Sequence, residues 1–143
     1  MMTATHDDVK LILQLYEMRR EARMREARRW YTASFKPKTY EEFTALCPPG
    51  SEANASYRMV TTYWEMAGSF LTHGVLNAEL FYQSGRELLF VWERVRDIVP
   101  GIRAFVKHPH ELKNLEDAAG TYIAWWNAQS PGAYEAFSKR VRG

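Results

Sequence analysis

The spacing of the apolar residues is the feature that most constrains the fold of this chain. Apolar side chains recur at every third or fourth position almost throughout, and no stretch of four or more residues alternates as a half-buried strand does. This periodicity predicts an all-α protein: an antiparallel helical bundle of about five main helices with short connecting helices.

The first apolar series predicts one long helix that starts at Thr5 or His6 and runs to about Ser34. Asp7 and Asp8 lie in its first turn, where the helix dipole favours negative charge. The break at 36–38, Lys-Pro-Lys, ends it. The predicted buried face consists of Val9, Leu13, Tyr16, Met24, Ala27, Tyr31 and Phe35.

Capping residues divide the next part of the chain. Thr39 and Glu42 have the form of a capping box and predict a short helix from Tyr40 to about Leu46. Ser51 can cap a third helix, and Asn77 a short one through Tyr82. The third helix is predicted to bury Tyr57, Val60, Trp64, Ala67, Gly68 and Leu71. Ala67 and Gly68 would let another helix cross closely, and Gly74 is expected to be left-handed.

The last third of the chain also reads as helical. Leu88, Trp92, Val95 and Val99 have helical spacing, and Pro100 either kinks that helix or lies in the first turn of the next one. That next helix would carry Ile102, Phe105 and Val106. Another would be marked by Leu115, Ala118, Ala119, Tyr122 and Trp125 or Trp126. Ser130 as cap, with Pro131 in the first turn, predicts a terminal helix that buries Tyr134, Phe137 and Val141.

Length and composition favour one folded domain spanning residues 1–143. The chain has 20 aromatic residues in 143 and only 8 Gly and 6 Pro, which excludes a disordered or collagen-like chain. A lone cysteine, Cys47, excludes an internal disulfide scaffold. The N-terminus is polar and no apolar run approaches the roughly 20 residues of a spanning helix, so no transmembrane segment and a cytoplasmic location are expected.

Six arginines in residues 19–29 form the most unusual segment. One interpretation is a basic helix face that binds the phosphates of nucleic acid or a membrane surface. The other is a solvated helix face with ion pairs such as Glu21 with Arg25. The residues of the basic face are Arg19, Arg23, Arg25, Arg28 and Arg29.

The sixth arginine, Arg20, falls within the predicted buried face and is expected to be at least partly buried. A buried guanidinium needs acidic or carbonyl partners, for which Glu65, Glu93 and Asp97 are candidates. Such a contact would either fix the register between helices or bind a small anionic ligand or substrate. In the second interpretation an interior pocket around Arg20 would be lined by Tyr16, Tyr31 and Trp64.

No residue pattern indicates catalysis, a metal or a cofactor. His108 and His110 lie in a predicted turn without further ligands nearby in sequence, so no metal site is expected. Cys47 is expected to be buried or inert. The nucleophile-elbow and phosphate-loop motifs are absent from the sequence.

The chain has more tryptophans than its core obviously needs. Adjacent helical residues point about 100° apart, so Trp125 and Trp126 cannot both lie at the centre of one contact, and the same holds for Trp30 and Tyr31. The second ring of each pair either covers the edge of the core or lies in an interface, such as that of a homodimer formed through exposed aromatics.

Several aromatic and charged segments carry a resemblance. They are 15–20 (LYEMRR), 28–31 (RRWY), 63–65 (YWE) and 89–93 (LFVWE). Over about the first two thirds of the chain this pattern resembles a family of bacterial helical proteins of unknown function. The resemblance implies a compact helical domain and supplies no active residues.

Together these observations favour a non-enzymatic interaction domain that binds a partner or associates with itself. The alternatives are nucleic-acid or phosphate binding through the arginine-rich first helix, and anionic-ligand binding or catalysis in a pocket around Arg20.

Overall fold

Helices form the whole regular structure of residues 3–143, the part of the chain that the computed structural model describes. Within it the helices are α1 (His6–Arg20), α2 (Ala22–Ser34), α3 (Tyr40–Leu46), α4 (Glu52–Thr72), α5 (Ala78–Tyr82), α6 (Glu87–Val95), α7 (Val99–Val106), α8 (Lys113–Gln129) and α9 (Ala133–Arg142). A 3-10 turn, Arg96–Ile98, connects α6 to α7. The predicted all-α helical bundle is confirmed.

The helix predicted to run to Ser34 is in fact two helices, because the chain breaks at Glu21. Its backbone is extended (φ −57°, ψ 143°), and its side chain accepts a hydrogen bond from the Met24 N–H as the cap of α2. The Arg28 guanidinium binds the carbonyl oxygen of Arg19 at 3.0 Å, which satisfies an acceptor at the end of α1. The break therefore depends on contacts between residues 19, 21, 24 and 28.

Because of this break, the predicted buried face is confirmed for α2 but is wrong for α1. Met24, Ala27 and Tyr31 are buried in α2, whereas Val9 and Leu13 of α1 are 44% and 57% exposed. The residues of α1 and α2 would share one buried face only if the helix continued without a break through Glu21. Because α1 also carries apolar residues on its other side, it turns a different face inward, and its buried residues are Leu15 and Asp8.

The predicted starts of α3, α4 and α5 are confirmed. The Thr39 hydroxyl accepts from the Glu42 N–H, and the Ser51 and Asn77 side chains accept from the third residue of their helices. The predicted capping box at α3 is only half formed, because the Glu42 carboxylate accepts from the Lys38 N–H, at 2.7 Å, and not from the cap residue Thr39. A complete capping box, formed by Thr5 and Asp8, starts α1.

The core is centred on α4. This helix packs against α8, α2 and α6, while α6 packs in turn against α8 and α9. The predicted face of α4 is buried except for Leu71, which is partly buried; Trp64 and Ala67 are fully enclosed. The helix α1 lies at the margin of this core.

Ala67 and Gly68 mark the predicted close crossing, and the helix that crosses there is α8. A Cβ atom at Gly68 would lie 2.9 Å from the carbonyl oxygen of Asn114, closer than non-bonded atoms normally approach. The Glu65 carboxylate accepts hydrogen bonds from the N–H groups of Asn114 and Leu115, so α4 also caps the start of α8.

The C-terminal helices differ from the sequence prediction in two details. Ser130 ends α8, since its N–H bonds to the Trp126 carbonyl, and Gly132 at φ +84° is the residue before α9. The prediction that Ser130 and Pro131 open the terminal helix is therefore wrong, although its predicted buried face is right. In α7 Pro100 occupies the first turn, which is one of the two predicted alternatives, while Ile102 is buried and Phe105 and Val106 are 73% and 45% exposed.

Candidate interaction surface

Arg20 lies at the surface of the protein. Its side chain is 61% exposed, and its ion pair is with Glu17 of the same helix, at 3.5 Å. The expectation that Arg20 is buried is wrong, because that expectation extended the phase of α2 across the break at Glu21. The three acidic side chains considered as its partners are engaged elsewhere: Glu65 with the start of α8, and Glu93 and Asp97 with Arg142.

The arginine that does reach the core from α1 is its neighbour, Arg19. Its Nη1 donates to the Tyr63 hydroxyl at 3.2 Å, and its guanidinium lies over the Trp64 ring, 5.1 Å from the ring centroid. Tyr63 in turn donates to the Leu15 carbonyl at 2.6 Å. Burial raises the pKa of Tyr63. These contacts attach α1 to α4.

Arg28 makes a second partly buried contact, to Glu87 of α6. The two side chains, 29% and 30% exposed, form a two-pronged ion pair with N···O distances of 2.8 and 2.7 Å. The hydrogen bond to Glu87 raises the pKa of Arg28. The Trp64 indole also donates to Glu87, at 3.3 Å. Arg28 therefore joins α2 to α6 while it holds the end of α1.

Only part of the predicted basic face is free for a partner. Arg19 and Arg28 are engaged in the interior contacts described above, whereas Arg23, Arg25 and Arg29 are exposed on α2.

The structure does not bring Arg20, Tyr16, Tyr31 and Trp64 together around a pocket. Tyr31 and Trp64 are 1% and 0% exposed. The Tyr31 hydroxyl donates to the Val91 carbonyl at 2.7 Å, and burial raises its pKa well above the usual value. Tyr16 is 49% exposed, and the Arg20 guanidinium lies 5.5 Å from its ring centroid at the surface.

An exposed apolar stripe runs along α1. It consists of Val9, Leu13 and Tyr16, spaced by four and three residues, and ends at Arg20, four residues further on. This spacing keeps the side chains on one face of the helix, and that face is turned away from Leu15 and the core. All three side chains remain about half exposed; Tyr16 contacts the Arg19 and Arg20 guanidinium groups, and Leu13 borders the groove between α1 and α4.

A methionine-lined groove lies beside the stripe, between α1 and α4, and Leu13 borders both. Met18, Met66 and Phe70 line a cavity of about 590 Å³, and Met18, Met59 and Met66 line a neighbouring one of about 600 Å³. Asp7 and Asp8 in the first turn of α1 share a cavity with Leu71 at the end of α4, and Met18 near the end of α1 lies beside Met59, so α1 and α4 run antiparallel. A third cavity, of about 650 Å³, lies at the start of α1 between Asp7 and Glu79.

The tryptophans contribute little to the exposed surface. Trp30, Trp92, Trp125 and Trp126 are partly buried against the core. The exposed aromatic side chains among the described residues are instead Tyr16 and Phe105. The aromatic surface available for self-association is therefore different from the tryptophan surface considered from sequence.

Glu93 is a fully buried carboxylate whose environment sequence reasoning missed. Tyr134 and Ser138 of α9 donate to it, the latter at 2.7 Å, and Arg142 lies 3.4 Å away. Arg94, next to it, donates to the Phe35 carbonyl at the end of α2. The sequence shows an acidic residue in α6 and basic residues in α9, but it does not indicate that these two helices pack against each other. The cluster is fully partnered, so it serves to dock α9.

The remaining candidates are as follows. Cys47 is buried, and burial raises its pKa to about 11. His108 and His110 are exposed, and residues 3–143 hold no cluster of three side chains that could bind a metal ion. In the same residues no helix has both the length and the apolar character needed to cross a membrane.

The fold and these surfaces define a helical bundle whose distinguishing feature is an uncovered apolar stripe on its marginal helix. A family model described as a domain of unknown function, DUF4760, matches residues 4–139, and the chain belongs to that family. Comparisons with curated proteins and with solved structures found no match.

Proposed function

We propose that the protein is an interaction domain that associates with itself through the apolar stripe of α1. The observation that carries this proposal is the exposure of Val9, Leu13 and Tyr16 on one helix face, at 44%, 57% and 49%. Isolated exposed apolar residues are ordinary, but a row at helical spacing is typical of a helix that pairs with another helix.

The exposed areas predict a weak, reversible association. Burying a whole Val, Leu or aromatic side chain contributes about 2 kcal/mol, so each half-exposed member of the stripe can add about 1 kcal/mol. Two copies of the stripe therefore supply about 6 kcal/mol, before the cost of association and the gain from flanking contacts. If these two terms offset each other, the Kd is about 40 µM.

The experiment is a measurement of solution mass between about 10 µM and 1 mM by sedimentation equilibrium. We expect the mass to rise with concentration from 16.7 kDa towards twice that value. Replacement of Leu13 by Gln should remove about 1 kcal/mol from each copy and weaken the dimer by a factor of about 30. Phe105→Gln is the matched control, because Phe105 is an even more exposed apolar side chain but lies on α7.

Two outcomes would contradict the proposal. One is a mass that stays at the monomer value across the whole range. The other is a dimer that Leu13→Gln and Phe105→Gln affect equally. A monomer that carries nucleic acid released by high salt would favour the exposed arginines of α2, Arg23, Arg25 and Arg29, as the binding surface instead.

A further inference from the structure

The stripe of α1 has the heptad spacing of a coiled-coil seam. In a heptad labelled a to g, the seam positions a and d alternate by three and four residues. Position a holds His6, Leu13 and Arg20, and position d holds Val9 and Tyr16. All five side chains are exposed, so the seam has no partner within residues 3–143.

The charges beside the seam are complementary only when a second α1 runs in the opposite direction. Position e holds Lys10 and Glu17, both exposed. In an antiparallel pair, position a of one helix packs against position d of the other, so Leu13 of each copy packs against Tyr16 of the second copy. The e positions of the two helices then lie on the same side of the seam and face each other. Lys10 then lies beside Glu17 of the second copy, and the two-fold axis repeats this ion pair.

A parallel pair would lack these contacts. It would place Lys10 opposite Thr5 and Glu17 opposite Ile12, which occupy position g. It would also bring the two Arg20 side chains together at one end of the seam. Like charges in direct apposition oppose association.

The distribution of charge along α1 gives the same orientation. Its first turn is acidic and its last turn is basic. An antiparallel arrangement brings each acidic end towards the basic end of the other copy and aligns the helix dipoles favourably. Lys10 forms no ion pair with the described residues, and Glu17 pairs only with Arg20, at 3.5 Å on the surface.

We propose that the partner of the α1 stripe is the same stripe of a second copy, antiparallel, with Lys10 of each chain paired with Glu17 of the other. This inference rests on the proposed function and specifies the partner and the orientation. The interface is isologous, so it closes as a dimer and does not continue into a filament.

The test uses two charge reversals, Lys10→Glu and Glu17→Lys, in the full chain. Each variant alone places like charges opposite each other at two points, and its homodimer should be weaker than wild type by roughly tenfold. An equimolar mixture of the two variants restores both ion pairs, and its heterodimer should match the wild-type Kd within about twofold. Raising the salt concentration should strengthen each homodimer and weaken the heterodimer.

Lys139→Glu and Glu135→Lys are the matched controls, since they reverse an exposed ion pair of α9 with the same changes in net charge. These controls should leave the Kd unchanged. Circular dichroism should show the helical content of wild type for all four variants.

The possible failures are distinguishable. If Leu13→Gln disrupts the dimer but the charge reversals do not, and their mixture gains nothing, the stripe is the interface and the antiparallel pairing is refuted. If wild type remains monomeric at about 1 mM, the proposed function and this inference both fail.

Discussion

Replacement of Arg28 by Met is expected to lower the free energy of unfolding by about 2 kcal/mol. The substitution keeps most of the aliphatic stem but removes the two-pronged ion pair with Glu87 and the hydrogen bond to the Arg19 carbonyl. Loss of one partner costs up to about 1 kcal/mol for an exposed pair and 3–5 kcal/mol for a buried one. With side chains 29% and 30% exposed, this pair lies between those limits.

Arg20→Met is the matched control, because Arg20 is 61% exposed and pairs only with the surface residue Glu17. We expect it to cost less than about 0.5 kcal/mol. The double variant Arg28→Met with Glu87→Gln should recover at least half of the loss, since it leaves no partly buried carboxylate without its partner and keeps an oxygen that accepts from the Trp64 indole.

The assay is urea denaturation followed by circular dichroism, at a protein concentration low enough to keep the chain monomeric. A chain of this size should lose roughly 5–8 °C in Tm for a change of about 2 kcal/mol. The reasoning is refuted if Arg20→Met costs as much as Arg28→Met, or if the double variant is less stable than the Arg28 single variant.

Three further predictions concern other parts of the fold. Gly68→Ala should destabilise the protein by about 1–3 kcal/mol, since its Cβ would meet the Asn114 carbonyl. Gly120→Ala, with open space around its Cβ, should stabilise the protein by about 0.5–1 kcal/mol. The denaturant midpoint measures both changes, and stability changes of the same sign for the two variants would contradict the close crossing. Cys47, with its pKa raised to about 11, should react with a thiol reagent at pH 8 at least ~100-fold more slowly in the native chain than in urea, and equal rates would contradict its burial. The hydrogen bonds from the backbone N–H groups of residues 77 and 5 lower the pKa of Asp8 below 3.8, so the stabilisation by its carboxylate is complete above the pKa of the unfolded chain and is lost as the pH falls through the pKa of the folded chain. The difference in unfolding free energy between wild type and Asp8→Asn should therefore be constant from pH 5 to 7 and shrink below about pH 3.8. A difference that grows on acidification would contradict this.

The elements that local chemistry specifies were predictable from the sequence. The caps at Thr39, Ser51 and Asn77 each use a side chain and a backbone group three residues apart, so their residue types alone indicate a helix start. The buried face of α4 was also predictable, because its apolar residues occupy one side of an uninterrupted helix.

The face that α1 turns to the core could not be predicted in the same way. The helix carries apolar side chains on two sides, and the choice between them depends on the break at Glu21. That break is stabilised by Arg28 of α2, which binds the Arg19 carbonyl of α1 and the Glu87 carboxylate of α6. The contact with Glu87 joins residues far apart in the sequence, and neither it nor the Glu21 cap changes the spacing of the apolar residues, so the periodicity does not indicate the break.

The candidate site shows the same division. The sequence indicated an arginine-rich segment and a stripe that includes Tyr16 and Arg20, but it placed the stripe inside the protein. The contact of Glu93 with Arg142 was equally inaccessible, because it forms only when α9 docks on α6. Arg19 and Arg20 differ by one position, which is about 100° of rotation around the helix.

The most direct test of the α1 interface is an isotope-filtered NOE experiment on a mixture of labelled and unlabelled chains near 1 mM. We expect cross-peaks between the Leu13 methyl groups of one copy and the Tyr16 ring of the other, and their loss in Leu13→Gln. Intermolecular cross-peaks that come only from other helices, or none at a concentration where the mass is that of a dimer, would contradict this expectation.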